Sequence, residues 1–196
     1  MKIVTLLLTC LLLLSTACKS LFSTREPESP EDPRSQWIPP LSADQVFINL
    51  QSSISDRNVE NYIRCLVDAS FSDRTYHFEP DPEVAANYAE IFRSWDLSRE
   101  EAVIQQALSR LPPDSAGFLL FTEDVRETMA SDSAVIVKKY LLELHHVQPG
   151  LSTVFEGYME AWLAPDQRGE WSVYHWIDNG LTGQPSWSLL KASLGG

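Results

Sequence analysis

The sequence is short of cysteine and of basic charge, and each shortage excludes something. Three cysteines occur; Cys10 and Cys18 lie in or just after an apolar N-terminal run, leaving Cys65 alone in the rest of the chain. A lone thiol forms no intramolecular disulfide, so the folded part must be held by burial. Cys65 sits among Ile63, Leu66 and Val67 with no histidine near it in sequence. It reads as a buried structural thiol, not a nucleophile. Lys and Arg total 15 against 27 Asp and Glu, a net charge of −12. A nucleic-acid binder needs a basic stripe to neutralise phosphates, and electrostatic docking on anionic lipid needs one too. Neither class fits. Nucleophile elbow, P-loop, dinucleotide fingerprint, C-x-x-C and paired zinc motif are all absent. That excludes several large enzyme classes and implies no cofactor, but it leaves open acid/base chemistry, which needs no linear motif.

What is present begins at the N-terminus. Lys2 is followed by an apolar run from Ile3 to Leu14 and then by Ser15-Thr16-Ala17-Cys18. This is the order of a secretory signal: charge, short apolar stretch, small-residue cleavage site. A span needs about 20 apolar residues, so this run is too short to cross a bilayer. Leu14 to Cys18 resembles the bacterial lipobox, with Ser15 where Leu is usual. The resemblance implies cleavage after Ala17 and acylation of Cys18, which becomes the new N-terminus of an exported, envelope-anchored lipoprotein. Lys19 after the cysteine implies the outer membrane, with the protein facing the periplasm. Two or three acyl chains anchor durably where one does not. Loss of residues 1–17 removes Lys2 and no acid, leaving 14 basic and 27 acidic residues, a net −13. Ordinary cleavage and simple secretion is the competing reading.

Residues 18–41 are expected to form the lipidated cysteine and a disordered tether. Five of the chain's 12 prolines fall in residues 23–40, where Trp37 and Ile38 are the only large apolar residues. Such a segment buries too little to offset its ordering entropy. At about 3 Å per residue it reaches roughly 50 Å. The domain, residues 42–196, opens with a capping box from Ser42 to Gln45 and helical spacing through Val46, Leu50 and Ile54. Asp56-Arg57-Asn58 interrupts, and Asn58 is placed to cap a second helix bearing Val59, Tyr62, Ile63 and Leu66. Residues 70–82 read as extended, ending in a Pro-rich turn. Val84 to Trp95 reads as one amphipathic helix, and Ser98 with Glu101 as a capping box opening another, stopped at Pro112-Pro113. The period then switches to alternation. Phe118–Met129, Ala134–Val147, Thr153–Ala164 and Glu170–Asp178 predict four strands, and Ser186–Leu194 a closing helix or strand. Helices first and hairpin-joined strands after is the pattern of an α+β domain, with helices on one face of an antiparallel sheet of about four long strands.

Two segments carry a family resemblance. Asp56-Arg57-Asn58-Val59-Glu60-Asn61-Tyr62 resembles a recurrent segment at the first-helix break of the nuclear transport factor 2-like (SnoaL-like, cystatin-like cone) superfamily. Gly169-Glu170-Trp171-Ser172-Val173, with Trp176-Ile177-Asp178 after it, resembles that family's last strand, and Gly157 and Tyr140-Leu141-Leu142 fit the strands before it. The likeness covers about residues 42–194. It implies a cone-shaped sheet wrapped over helices with a pocket at the wide end. Isomerases, dehydratases, cyclases and non-catalytic binding domains all share that shape, so fold alone selects no activity.

Several candidate sites fall on that frame. His77, Glu79 and Asp81 alternate in an extended segment and share a face, the geometry a metal would want; a solvated surface turn is the reading taken, and no metal is expected. His145 and His146 are neighbours pointing to opposite faces, one exposed and one packed. His175 and Asp178 are candidate bases, with Tyr140 as a hydrogen-bond donor, although His175 is read first as a satisfied core histidine. In strict alternation Trp171, Val173, His175 and Ile177 share one face of the last strand, and Tyr174, Trp176 and Asp178 the other. Tyr140, Trp162 and Trp176 are the candidate ligand contacts. Tyr158, Trp162 and Trp176, if exposed on the convex face, would make a homodimer surface. The function expected is a non-catalytic, membrane-anchored domain binding a small apolar ligand or an envelope protein. A pocket isomerase or dehydratase and a homodimerisation module are the alternatives.

Overall fold

The computed structural model describes residues 37–130 and 132–196. The signal segment, Cys18 and the tether as far as residue 36 lie outside the described residues. Among the described residues no helix is long and apolar enough to cross a membrane.

Helix α1 (Ala43–Ser55) starts where expected: Ser42 is extended, and its hydroxyl accepts the Gln45 N–H. Val46, Leu50 and Ile54 form its buried stripe. The helix stops at Arg57, whose φ of 55° lies in the left-handed region. Asn58 then accepts the Asn61 N–H at 2.9 Å and caps α2 (Val59–Arg64). Strand β1 (His77–Glu79) follows, then α3 (Pro82–Asn87), capped by Asp81, and α4 (Ala89–Phe92). The single helix expected from Val84 to Trp95 is thus broken in two at Tyr88, where φ is −130° and ψ 33°. Helix α5 (Leu97–Ser109) is capped by Asp96 accepting the Arg99 N–H at 2.9 Å, not by the Ser98–Glu101 box, because Asp96 already satisfies the first turn. The Arg57 guanidinium donates to the carbonyls of Leu108, Leu111 and Pro112 at 3.0–3.2 Å, fastening the α1–α2 corner to the end of α5.

Strands β2 (Phe118–Met129), β3 (Ala134–Glu143), β4 (Val154–Pro165) and β5 (Trp171–Gly180) form the expected antiparallel run, and α6 (Trp187–Leu194) resolves the last segment as a helix. The sheet has five strands in the order β1-β5-β4-β3-β2, however, with β1 parallel to β5. It is mixed, curved and unclosed, with one short strand beyond the four expected.

The inner face is filled. Trp176, Trp187, Tyr62, Tyr140 and Phe155 are all within 1% of complete burial. Trp176 meets Trp187 edge-on with ring centres 4.7 Å apart, and Phe78 meets Trp176 likewise at 5.6 Å. Cys65 is buried there as expected; burial pushes its thiol up, and Sγ donates to the Asn61 carbonyl. Residues 37–40, assigned above to the tether, lie against this domain. Arg64 stacks on Trp37 at 4.0 Å, Asn49 donates to the Ile38 carbonyl at 2.7 Å, and the Trp171 N–H donates to the Pro40 carbonyl at 2.7 Å.

Candidate functional site

Tyr140 and Asp178, named from sequence as donor and base, are brought together inside the cone. They sit on β3 and β5, on either side of β4, and Gly157 of β4 lies between them. A Cβ at Gly157 would lie 2.6 Å from Tyr140 Oη, so a side chain there would displace the ring. Tyr140 Oη donates to Asp178 Oδ1 at 2.8 Å and accepts the Trp187 N–H at 2.7 Å. Asp178 Oδ2 accepts both the N–H and the hydroxyl of Ser188, at 2.7 and 2.5 Å. Burial pushes the Asp178 carboxyl up, against the opposing pull of Ser188, Tyr140 and Lys191. Burial, together with the charge of Asp178, raises the Tyr140 phenol well above its ordinary range. Each oxygen of the pair is engaged, and the donors come from the first turn of α6, whose N–H groups lack intrahelical partners and whose positive dipole end favours a carboxylate. The pair works as a brace for that helix.

A second polar group is also buried, and sequence reasoning missed it. Glu100 of α5 accepts Tyr62 Oη at 2.7 Å, Tyr76 Oη at 3.0 Å and Trp95 Nε1 at 2.7 Å. Lys191 of α6 has no exposed surface; its Nζ is 2.9 Å from Glu100 Oε2, an ion pair that lacks hydrogen-bond direction. The ammonium also lies 3.4 Å and 3.8 Å from the ring centres of Phe78 and Trp176. Burial pushes the Lys191 ammonium down, opposed by the Glu100 charge. A signal for both residues existed. Lys191 falls four after Trp187 and three before Leu194, and Glu100 three before Val103 and four before Ile104, so each charge lies on its helix's apolar stripe.

Neither group faces open space. A cavity of about 230 Å³ is lined by Trp37, Arg64, Leu66, Arg168 and Trp171, none of them in the Tyr140–Asp178 brace. An open groove of about 800 Å³ runs between α3 and the β5–α6 connection, lined by Asp81, Val84, Tyr88, Leu181 and Leu189. Asp178 and Tyr140 line neither.

The remaining candidates separate. His175 is not a core histidine: it faces outward, and its Nε2 lies 2.9 Å from Glu79 Oε1 and its ring 5.5 Å from that of Trp162. The cause is in the β4–β5 register, where Trp162 pairs with His175 but Leu163 with Val173, so Tyr174 is skipped and strict alternation fails. Trp176 is fully buried on the inner face. It therefore neither shares a site with Trp162 nor adds to an exposed convex patch with Tyr158. His77 and Glu79 do share an outer face, but Asp81 turns away, capping α3 and accepting the Gly180 N–H at 2.9 Å. His145 is exposed and His146 packed, as expected: His146 Nδ1 accepts the Gln148 N–H, leaving Nε2 to donate to the Ser152 carbonyl.

No protein-family profile and no curated protein matches the sequence. Solved structures do. A conserved protein from Planctomyces limnophilus overlays with a TM-score of 0.55 at 10% identity, covering 72% of this chain and 94% of its own. A Novosphingobium aromaticivorans protein provisionally named a scytalone dehydratase gives 0.53 at 6% identity, covering 70% and 80%. A Salmonella enterica protein of the nuclear transport factor 2-like superfamily gives 0.49 at 14%, covering 69% and 86%. At such identities a likeness concerns the fold and carries no activity with it. The domain shares the fold of the first two of these proteins, with helices followed by a curved, unclosed mixed sheet.

Proposed function

We propose that this chain is a lipoprotein of the cell envelope, acylated on Cys18, whose cone domain binds a protein partner and catalyses nothing. One observation carries the non-catalytic half: the polar pair that would serve as base and donor, Asp178 and Tyr140, is hydrogen-bonded into the first turn of α6 beneath Trp187. A general base must reach a substrate proton, and here both carboxylate oxygens of Asp178 accept from the protein itself, in a side chain with no exposed surface. A protein partner is preferred over a small apolar ligand on the size of one cavity and the open, polar character of the other. Ligand pockets run from about 300 Å³ upward, whereas the more enclosed cavity has about 230 Å³, and the groove of about 800 Å³ is open and lined in part by Asp81, Glu83, Asn87 and Gln184. The lipobox-like Leu14 to Cys18 supports the anchor. Tyr158 and Trp162, half-buried on the outer sheet face, favour a second copy of the chain as one such partner.

Hydrogen exchange at the Trp187 and Ser188 amides tests the sealed interior. Exchange no faster than global unfolding is the expected result. Rapid sub-global opening of α6 would revive the pocket enzyme. Palmitate labelling of the wild-type chain and Cys18→Ala tests the anchor; label surviving the substitution would overturn it.

A further inference from the structure

The outer face holds a cluster that the proposed function does not use. The parallel register sets His77 of β1 opposite His175 of β5, with Glu79 two residues along the same face of β1. Alternate residues of a strand share a side, so His77 and Glu79 point outward together, and the skipped residue at Tyr174 turns His175 out to join them. His175 Nε2 lies 2.9 Å from Glu79 Oε1, and His77 Nε2 lies 3.6 Å from the same oxygen. The imidazole rings are 4.9 Å apart, and one ligand atom from each of the three residues falls within 4.8 Å of the others.

From this geometry we propose that His77, Glu79 and His175 form a binding site for a late first-row divalent metal ion, Zn(II) being the probe of choice. Two imidazoles and one carboxylate are the donor set of that class. Mg(II) and Ca(II) want oxygen ligands throughout. The spacing agrees. A tetrahedral ion with bonds of about 2.0–2.1 Å sets its ligand atoms about 3.3 Å apart, and the two measured distances, 2.9 and 3.6 Å, straddle that value. The remaining edge closes by a turn of the His77 ring, whose side chain is 61% exposed. That exposure also leaves the fourth position open to water. Neighbouring acids are committed elsewhere: Asp81 caps α3, and Glu160 takes Trp162 Nε1 and Arg126. The ligand set is therefore three residues from two strands.

Such an ion would staple the three-residue edge strand to the body of the sheet, and ligands that bind only the native state raise its stability. The test is calorimetric titration of Zn(II) into the full-length chain in detergent, untagged and stripped with a chelator, alongside His77→Asn, Glu79→Gln and His175→Asn. We expect one equivalent of Zn(II) per chain and a raised Tm. Each variant should lose on the order of tenfold or more in affinity, while Mg(II) gives no heat. His77→Asn alters a mostly exposed side chain, so its circular dichroism should match wild type and keep the comparison fair. Absence of stoichiometric Zn(II) binding would overturn the site. So would binding that all three variants retain, since the ion would then be held elsewhere, as at His145 and His146.

Discussion

Tyr140 Oη stands between Trp187 and Asp178, accepting an amide proton from one at 2.7 Å and donating its own to the other at 2.8 Å. The direction of that chain is fixed, because an amide can only donate and a carboxylate only accept. Tyr140→Phe leaves the Trp187 N–H and Asp178 Oδ1 buried and without these bonds. Each orphan costs about 1–3 kcal/mol, so a loss of about 3 kcal/mol is expected in urea unfolding at unchanged m-value. A loss below about 1 kcal/mol would mean that water replaces the phenol.

Gly157 makes room for that phenol. A Cβ there meets Tyr140 Oη at 2.6 Å and the Asn179 carbonyl at 2.7 Å, the second being backbone. Neither atom can yield cheaply. Gly157→Ala should destabilise despite alanine's smaller unfolded-state entropy, and Gly157→Ala with Tyr140→Phe should cost less than the two singles combined, since they act on one contact.

Lys191 and Glu100 should show the asymmetry of a buried ion pair. Lys191→Met removes the cation but leaves Glu100 inside, at a cost of about 3–5 kcal/mol. Adding Glu100→Gln removes the stranded charge and should return most of that loss. Equal stabilities for single and double variants would show that Tyr62, Tyr76 and Trp95 suffice to hold the bare carboxylate.

The β4–β5 turn should give the protein a pH-dependent contribution on the acid side. Burial alone raises the Asp166 carboxyl, yet hydrogen bonds from the Arg168 side chain and the Arg168 and Glu170 amides outweigh it and hold it below the ordinary range. A carboxyl lower in the folded state than in the unfolded one adds stability above its unfolded value, and that stability is lost as pH falls through the folded value. The gap between wild type and Asp166→Asn should therefore be constant near neutrality and close on acidification below the usual carboxylate range. A gap that widens instead would reverse the sign.

Much of this architecture was legible because it is local. The caps at Ser42 and Asn58 and the alternation of β2 to β5 rest on residues close in sequence. The misses have one character in common: each depends on a partner far away or on a break in period. Strand β1 is three residues in a Pro-rich stretch and pairs with a strand nearly a hundred positions later, so no window reveals it. The skipped Tyr174 moves His175 to the outer face, and a bulge has no signature in hydrophobicity. Of the candidate site, Tyr140 and Asp178 were found and do meet. That they would be sealed by Trp187 depended on α6, whose type the sequence left open.

The two ends of the sheet bear on how the molecule avoids sticking to itself. An unclosed sheet has two edges, and an unpaired edge invites another chain to add a strand. At one edge β1 offers only three residues before Pro80, and Pro82 follows, neither proline having an N–H to give. At the other, β2 is twelve residues long, but its register against β3 slips twice, between Phe121 and Glu123 and between Asp124 and Arg126. Bulges twist an edge away from flat pairing, and charges make it a poor template. One edge is kept too short to extend and the other too irregular, so neither is a template on which another chain could add a strand.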